Sequence, residues 1–115
     1  MNKCMLLIIL MASDVTAVDK IEPNSGSKVI RTERESVKLS CSYDSNNEYV
    51  RLYWYRRHSS GELQYLLYKG ARSNSAKDTS DARFESSTSR ISTDLIIKTA
   101  ALSDSALYYC ALRVE

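Results

Sequence analysis

Apolar and polar residues alternate over several short stretches of the chain. Between residues 37 and 43 every second side chain is apolar, and the side chains between them are polar. A period of two residues is typical of a strand that buries one face. This stretch therefore predicts a strand with Cys41 pointing inward. The same reasoning predicts further strands over residues 50–56, 63–68, 91–98 and 106–110.

The alternation also assigns side chains to a core. It stops between residues 99 and 105, where we expect a short helical turn with Leu102 as the apolar side chain that fills the core. Weaker strand signals occupy residues 28–30, 69–73 and 83–87. Because no long helical pattern accompanies these strands, the chain predicts an all-β fold in which two sheets face each other. The expected core side chains are Leu39, Trp54, Ile91, Leu95, Ile97, Leu102 and Tyr108.

Residues 1–17 predict a signal peptide. They combine a positively charged start, an apolar run over residues 4–12, and the small residue Ala17 before the expected cleavage site. A membrane anchor is the alternative, but about 20 apolar residues are needed to cross a bilayer and Asp14 interrupts this shorter run. We therefore expect secretion of a single small domain over residues 18–115.

Composition narrows the possible functions. With 16 Lys and Arg against 14 Asp and Glu, the net charge is only +2, and the charges are interspersed. No basic block is available to follow phosphates, so nucleic acid is not expected as a partner. The single histidine, His58, stands beside Ser59 without a catalytic or phosphate-binding motif around it. We expect neither enzymatic activity nor a cofactor.

Two cysteines, Cys41 and Cys110, remain once the predicted leader is removed. In the oxidising secretory pathway they are expected to form a disulfide, which would stabilise the fold by roughly 4 kcal/mol. A zinc site is the alternative, but zinc takes four ligands and the chain adds only the distant His58. No metal site is therefore expected.

The spacing of these residues resembles an immunoglobulin variable domain. Trp54 follows Cys41, and Tyr108 stands two residues before Cys110, as in the core tryptophan, disulfide and tyrosine corner of that fold. The stretches 52–56, 66–70 and 108–113 are similar to T cell receptor variable segments of the alpha or delta type. The resemblance implies an immunoglobulin variable-type sandwich over residues 18–115.

In the resembled family an arginine at the start of one strand pairs with the aspartate before the second cysteine. Arg83 and Asp104 occupy those positions here. The resemblance implies a structural salt bridge between them, and two unrelated surface charges are the alternative.

The resemblance also implies that three loops at one end contact ligand. These are residues 45–51, residues 69–73 and the segment from Ala111 onward. Polar loops that contain tyrosine suit adaptable recognition, although solvated turns would have the same composition. The implied ligand-contacting residues are Asn46, Asn47, Glu48, Tyr49, Lys69, Gly70, Ala71, Ala111, Leu112 and Arg113.

A second apolar surface is predicted by the alternation itself. Tyr53, Tyr55, Leu107 and Tyr109 point away from Trp54 and Cys110, and such a patch is typical of a partner surface. In the resembled receptors this face packs on the partner chain's variable domain. We assign Tyr65 and Arg57 to the same face, and Arg57 stands where the family usually has a glutamine.

The chain ends shortly after Cys110, before the Phe-Gly-x-Gly strand that completes a variable domain. We expect a germline segment with one open sheet edge, which joining would complete. The implied partners are a beta or gamma variable domain, a peptide held by a major histocompatibility molecule or a related ligand, and signalling subunits that act through a constant and transmembrane region. The assembled receptor would lie in the plasma membrane. A light chain, a non-rearranging innate receptor and a cell-adhesion protein are alternatives.

Overall fold

A computed structural model of the chain describes residues 5–12, 19–24, 28–32 and 34–114, with the backbone alone described over 5–12 and 28–32. The strands are β1 (Met5–Ala12), β2 (Lys20–Pro23), β3 (Lys28–Thr32), β4 (Val37–Asp44), β5 (Tyr49–Arg57), β6 (Leu63–Arg72), β7 (Lys77–Thr79), β8 (Phe84–Thr88), β9 (Ser92–Ile97) and β10 (Ala106–Val114). They lie in two sheets, one with the order β3-β1-β10-β5-β6-β7 and one with the order β2-β4-β9-β8. A 3-10 turn, Leu102–Asp104, precedes β10.

The core lies between the two sheets and contains the disulfide. Cys41 of β4 and Cys110 of β10 are joined by an S–S bond of 2.04 Å, which links the sheets to each other. Trp54 is fully buried beside them, and its Nε1 donates a hydrogen bond to Thr93 Oγ1 at 3.2 Å. The predicted all-β sandwich is therefore confirmed. Its buried apolar side chains include Val37, Leu39, Val50, Leu52, Leu66, Leu95, Ile97 and Tyr108.

Two side chains that were predicted to lie in the core are exposed. Leu102, assigned to the core as the apolar side chain of the predicted turn, is 49% exposed, because in the 3-10 turn Asp104 occupies the buried position and neighbouring Ala100 fills the core. Ile91, assigned to the core by alternation, is 68% exposed, since it lies in the turn before β9. Both core assignments were wrong: alternation does not extend from a strand into the turn beside it, and an apolar side chain in a turn need not point inward.

The edge of β10 is not open in this structure. β1 lies parallel to β10, with Ile8 opposite Ala106 and Ala12 opposite Cys110. The open edge was expected for the chain without residues 1–17, so that expectation stays a prediction. Because β1 falls within the predicted signal peptide, its removal would expose this edge again; the cleavage itself stays a prediction.

Candidate functional site

One sheet carries a continuous tyrosine surface on its outer side. β5 alternates between the buried Trp54 and outward Tyr53 and Tyr55, whose rings are 6.2 Å apart and nearly parallel. Tyr53 also lies 5.2 Å from Tyr68, and Tyr55 lies 5.9 Å from Tyr65. We call the outward side chains of β5, β6 and β10 the tyrosine face: Tyr53, Tyr55, Tyr65, Tyr68, Leu107 and Tyr109.

A bulge brings β6 into this arrangement. The pairing of β5 with β6 shifts between Trp54 and Tyr55, so Tyr68 lies opposite Tyr53 while Tyr65 lies opposite Tyr55. The extra residue lets both Leu66 and Leu67 point into the core. The sequence analysis missed Tyr68, because strict alternation from Tyr65 assigns it to the core; two consecutive leucines are the signal that could have indicated a bulge.

Burial and stacking hold these tyrosines in place. Desolvation, together with the neighbouring Tyr53 hydroxyl, raises the pKa of Tyr55. Desolvation and the hydrogen bond that Tyr65 Oη donates to Asp78 Oδ2, at 2.8 Å, raise the pKa of Tyr65. Both hydroxyls are neutral at neutral pH, and the face is an aromatic surface with polar tips.

Two arginines contact the tyrosine face. The Arg57 guanidinium lies 5.8 Å from the Tyr109 ring centre, and its Nη1 donates to the carbonyl of Gly61 at 3.0 Å. The Arg51 guanidinium lies 5.1 Å from the ring centre of Tyr68. Arg51 was predicted as the last residue of the first ligand loop and not as part of this face, although its odd position on β5 places it on the same side as Tyr53 and Tyr55.

The first predicted ligand loop is held at one end of the sandwich by Arg72. Arg72 Nη1 donates to the carbonyls of Ser45 and Asn47 at 2.6 and 2.7 Å, and its Nη2 donates to the carbonyl of Arg90 at 2.7 Å. Arg90 in turn pairs with Glu48 at 2.6 Å. We call these contacts the loop clamp.

The predicted first-loop residues differ in their exposure to solvent. Asn46 and Glu48 are exposed in the loop, whereas Asn47 is half-buried and its Oδ1 accepts a hydrogen bond from the amide of Tyr49. Tyr49 itself is exposed but begins β5. The loop is therefore shorter than the predicted 45–51.

The second predicted ligand loop begins later than expected. Lys69, Gly70 and Ala71 all lie within β6. Ala71 is buried, and Lys69 Nζ donates to the carbonyl of Ser86 at 3.2 Å. A Cβ atom on Gly70 would lie 2.5 Å from the carbonyl oxygen of Asn74, so the next turn can approach only a glycine. The bounds 69–73 were wrong, because pairing with β5 and β7 extends the strand.

The third predicted loop also begins later. Ala111, Leu112 and Arg113 continue β10 and pair with β5. Leu112 is buried opposite Leu52, Ala111 is half-buried, and Arg113 is exposed directly opposite Arg51. A loop that starts at Ala111 is therefore wrong, because the described strand continues to Val114.

A buried charge cluster occupies the opposite end of the sandwich. Asp104 is fully buried, and its Oδ1 accepts hydrogen bonds from Arg83 Nη2 and Arg56 Nη1, each at 2.8 Å. Tyr108 Oη donates to the Asp104 carbonyl at 2.7 Å. Arg83 and Asp104 thus form the implied pair rather than unrelated surface charges. We call Arg56, Arg83, Asp104 and Tyr108 the charge cluster.

The pKa of Asp104 is lowered by the hydrogen bonds that it accepts in this cluster. Burial alone would raise it, but the hydrogen bonds from Arg83, from the Ala101 amide and from Arg56 lower the pKa of Asp104 to about 2. The sequence analysis missed Arg56, whose even position on β5 directs it inward. The cluster also contacts Gln64 and the Ala101 amide, and it joins β5 to the turn before β10.

Comparisons with known proteins agree with this architecture. A family model of the immunoglobulin V-set domain matches residues 25–115. The chain is 34% identical over 108 residues to human T cell receptor alpha variable 14/delta variable 4, covering 86% of this chain and 91% of that protein. It is 31% identical over 112 residues to human T cell receptor alpha variable 18, covering 96% of each. The chain belongs to the immunoglobulin V-set family.

A mouse relative extends the comparison. This V-set chain is 34% identical over 111 residues to the mouse T-cell receptor alpha chain V region CTL-F3, covering 96% of this chain and 82% of that protein. The resemblance to T cell receptor variable segments of the alpha or delta type is thereby confirmed.

Two further features of the V-set chain concern metals and membranes. No group of three or more His, Cys, Asp or Glu side chains that could hold a metal ion is found among the residues that the structure describes. The described ranges also contain no helix that is long and apolar enough to cross a membrane.

Proposed function

We propose that this chain is the antigen-recognising variable region of a T cell receptor alpha or delta chain. It pairs with the variable domain of a beta or gamma chain through the tyrosine face. The paired domains bind a peptide held by a major histocompatibility molecule, or a related ligand, through loops at the end of the sandwich that carries the loop clamp.

The observation that carries this proposal is the tyrosine face. Four tyrosines on β5 and β6 contact each other in a single layer and are half-buried. Aromatic side chains are enriched at protein interfaces because each one buries a large area and retains a polar tip. A partner domain that covers this layer would bury what the fold leaves exposed.

The geometry of the loop end supports ligand binding there. Asn46, Glu48 and Tyr49 are exposed on a loop whose backbone is held by Arg72. A backbone fixed before binding lowers the entropy cost of association, while exposed polar and aromatic tips adapt to the ligand. Among the predicted ligand residues we retain these three, because Arg113 lies opposite Arg51 on the side of the tyrosine face.

We further propose a purely binding role that requires no cofactor. In the finished receptor, signalling and membrane anchoring belong to other segments or subunits, and residues 1–17 direct the chain into the secretory pathway. The V-set relatives, whose names describe receptor variable regions, support this assignment.

The test is to extend lymphocyte transcripts in the 3′ direction from a primer in residues 1–17 and to sequence the codons beyond Arg113. We expect many different junctions that lead into a Phe-Gly-x-Gly strand and a constant domain, and the constant domain would identify the chain as alpha or delta. A single invariant continuation would contradict the proposal and indicate an innate or adhesion receptor.

A further inference from the structure

The tyrosine face carries an excess of positive charge. Arg51 and Arg57 of β5 and Arg113 of β10 all lie on its side of the sheet, at odd positions like Tyr53, Tyr55 and Tyr109. Asp78 of β7 is an acidic residue that contacts the face, and its Oδ2 already accepts a hydrogen bond from Tyr65. The aromatic surface is thus flanked by guanidinium groups at both ends.

Arg57 lies at the end of the tyrosine face that is nearer the charge cluster. It is exposed, its guanidinium lies over the Tyr109 ring, and its Nη1 donates to the Gly61 carbonyl. Within the described residues it forms no ion pair with a carboxylate. A guanidinium has five N–H donors in a planar fork, so the remaining donors are available at the edge of the aromatic layer.

Arg113 lies at the end of the tyrosine face that is nearer the loop clamp. It lies directly opposite Arg51 on the same side of the β5–β10 pair, an arrangement in which like charges repel. Arg113 is exposed and has no carboxylate partner among the described residues. The Arg113 guanidinium therefore adds positive charge where β10 approaches the loop end.

A partner that covers this face has to compensate these charges. Removing a guanidinium from water without an opposite charge is costly, and a carboxylate is the group that the arginine fork binds best. A neutral glutamine on the partner would supply one acceptor oxygen but no negative charge to compensate the arginine. Charge complementarity therefore favours a partner with acidic residues at two separate positions.

We propose that the partner of the tyrosine face is a variable domain that places one carboxylate against Arg57 and a second carboxylate against Arg113. The inference rests on the proposed function and specifies which beta or gamma domains this chain accepts. Arg57 acts as a specificity-determining residue, because it attracts an acidic partner and disfavours one that presents a positive charge.

The test is a selection with a displayed library of beta and gamma variable domains, used against the complete receptor chain that carries this segment. We expect the selected domains to be enriched in Asp or Glu at the two positions that face Arg57 and Arg113.

For one selected domain, Arg57→Glu and Arg113→Glu should each weaken pairing about tenfold or more. A Glu→Lys change at the facing partner position should restore it, and high salt should reduce the difference.

Lys77→Glu is the matched control. Lys77 is exposed on β7 of the same sheet, opposite Lys69 and hence on the side away from the tyrosine face. This variant makes the same change in net charge and should alter pairing less than about twofold. Near-ultraviolet circular dichroism of each variant checks that it is folded; where Arg57→Glu does not fold, Arg57→Gln replaces it, with an expected loss of several-fold.

The outcomes separate this inference from the proposed function. Pairing that is indifferent to acidic residues on the partner and to both arginine substitutions would overturn the inference and leave the proposed function standing. If no beta or gamma domain pairs with the unaltered chain, both are overturned.

Discussion

The two ends of the sandwich each contain an arginine network, and the networks differ in what the arginines bind. In the charge cluster, Arg56 and Arg83 meet a carboxylate that is fully buried. In the loop clamp, Arg72 donates to backbone carbonyls, and the accompanying ion pair of Arg90 with Glu48 is exposed. A buried carboxylate has few alternatives to its partners, whereas carbonyls and exposed charges can exchange theirs for water.

This difference indicates a division of roles. The charge cluster is a rigid base whose disruption would leave charge in a water-excluded site. The loop clamp orders a loop that remains largely exposed, so it can be rearranged at low cost when a ligand binds. Stability is therefore expected to depend on the charge cluster, and recognition on the loop end.

The largest expected effect is that of Asp104→Asn. Removal of the carboxylate leaves the Arg56 guanidinium, whose side chain is only 10% exposed, without its opposite charge. We expect a loss of about 3 kcal/mol in the free energy of unfolding, measured by urea denaturation. Asp94→Asn is the control, because Asp94 pairs with the exposed Lys38 and should contribute less than about 1 kcal/mol. Equal losses for the two variants would contradict the contrast between the ends.

The free energy of unfolding should depend on pH through the charge cluster. Because the pKa of Asp104 is lowered to about 2 in the folded chain, the folded state favours the ionised form. Its contribution is fully present above the unfolded value of about 4 and is lost as the pH falls towards 2. We expect about 2 kcal/mol of stability to disappear in this window. Urea denaturation between pH 2 and 7 measures it, and Asp104→Asn should remove this part of the dependence; an unchanged profile would contradict the assignment.

Arg72→Ala should act locally. It removes the hydrogen bonds that the guanidinium donates to the carbonyls of Ser45, Asn47 and Arg90. Those carbonyls can bind water, so we expect a loss of only about 1 kcal/mol in global stability. Hydrogen exchange of the amides over residues 45–48 should nevertheless accelerate at least about fivefold. Arg72→Lys, which keeps the charge but not the fork, should give an intermediate rate; unchanged exchange in both variants would show that the clamp does not order the loop.

The smallest effect is expected for Glu48→Gln. A hydrogen bond from Arg90 lowers the pKa of Glu48, but both side chains are exposed to solvent. Exposed pairs of this kind are screened by salt and contribute little to stability. The thermal unfolding midpoint should be unchanged within error at low and at high salt. A clear drop at low salt would mean that this ion pair stabilises the fold and not merely the loop.

Much of the tyrosine face could be predicted from whether a residue of β5 stands at an odd or an even position. Odd positions gave Tyr53, Tyr55 and Arg57 on the outer side, and even positions gave Trp54 on the inner side, as the structure has them. The same rule applied to β6 misassigned Tyr68, because the bulge opposite Trp54 and Tyr55 changes the phase of the alternation there. A bulge is a property of two paired strands, so a pattern in one strand does not reveal it.

The loops were predicted less well than the strands. Lys69 and Arg113 carry side chains that suit a loop, yet both lie in strands, because the hydrogen bonds of a ladder depend on the neighbouring strand and not on the side chain. The occupant of the β10 edge was equally unforeseen. An edge accepts any extended segment within reach, and here β1 supplies one.

The sequence by itself determined the two-sheet class, the disulfide and the inner and outer sides of the central strand, because each depends on local alternation or on the chemistry of single residues. The resemblance implied the pair of Arg83 with Asp104, but the tertiary structure alone decided that Arg56 joins it. Arg56, Arg83 and Asp104 are distant along the chain, and they form one buried cluster because the folding of two sheets brings β5, the start of β8 and the turn before β10 to the same end. Electrostatic energies depend on distance and on exclusion of water, and the sequence specifies neither until the chain is folded.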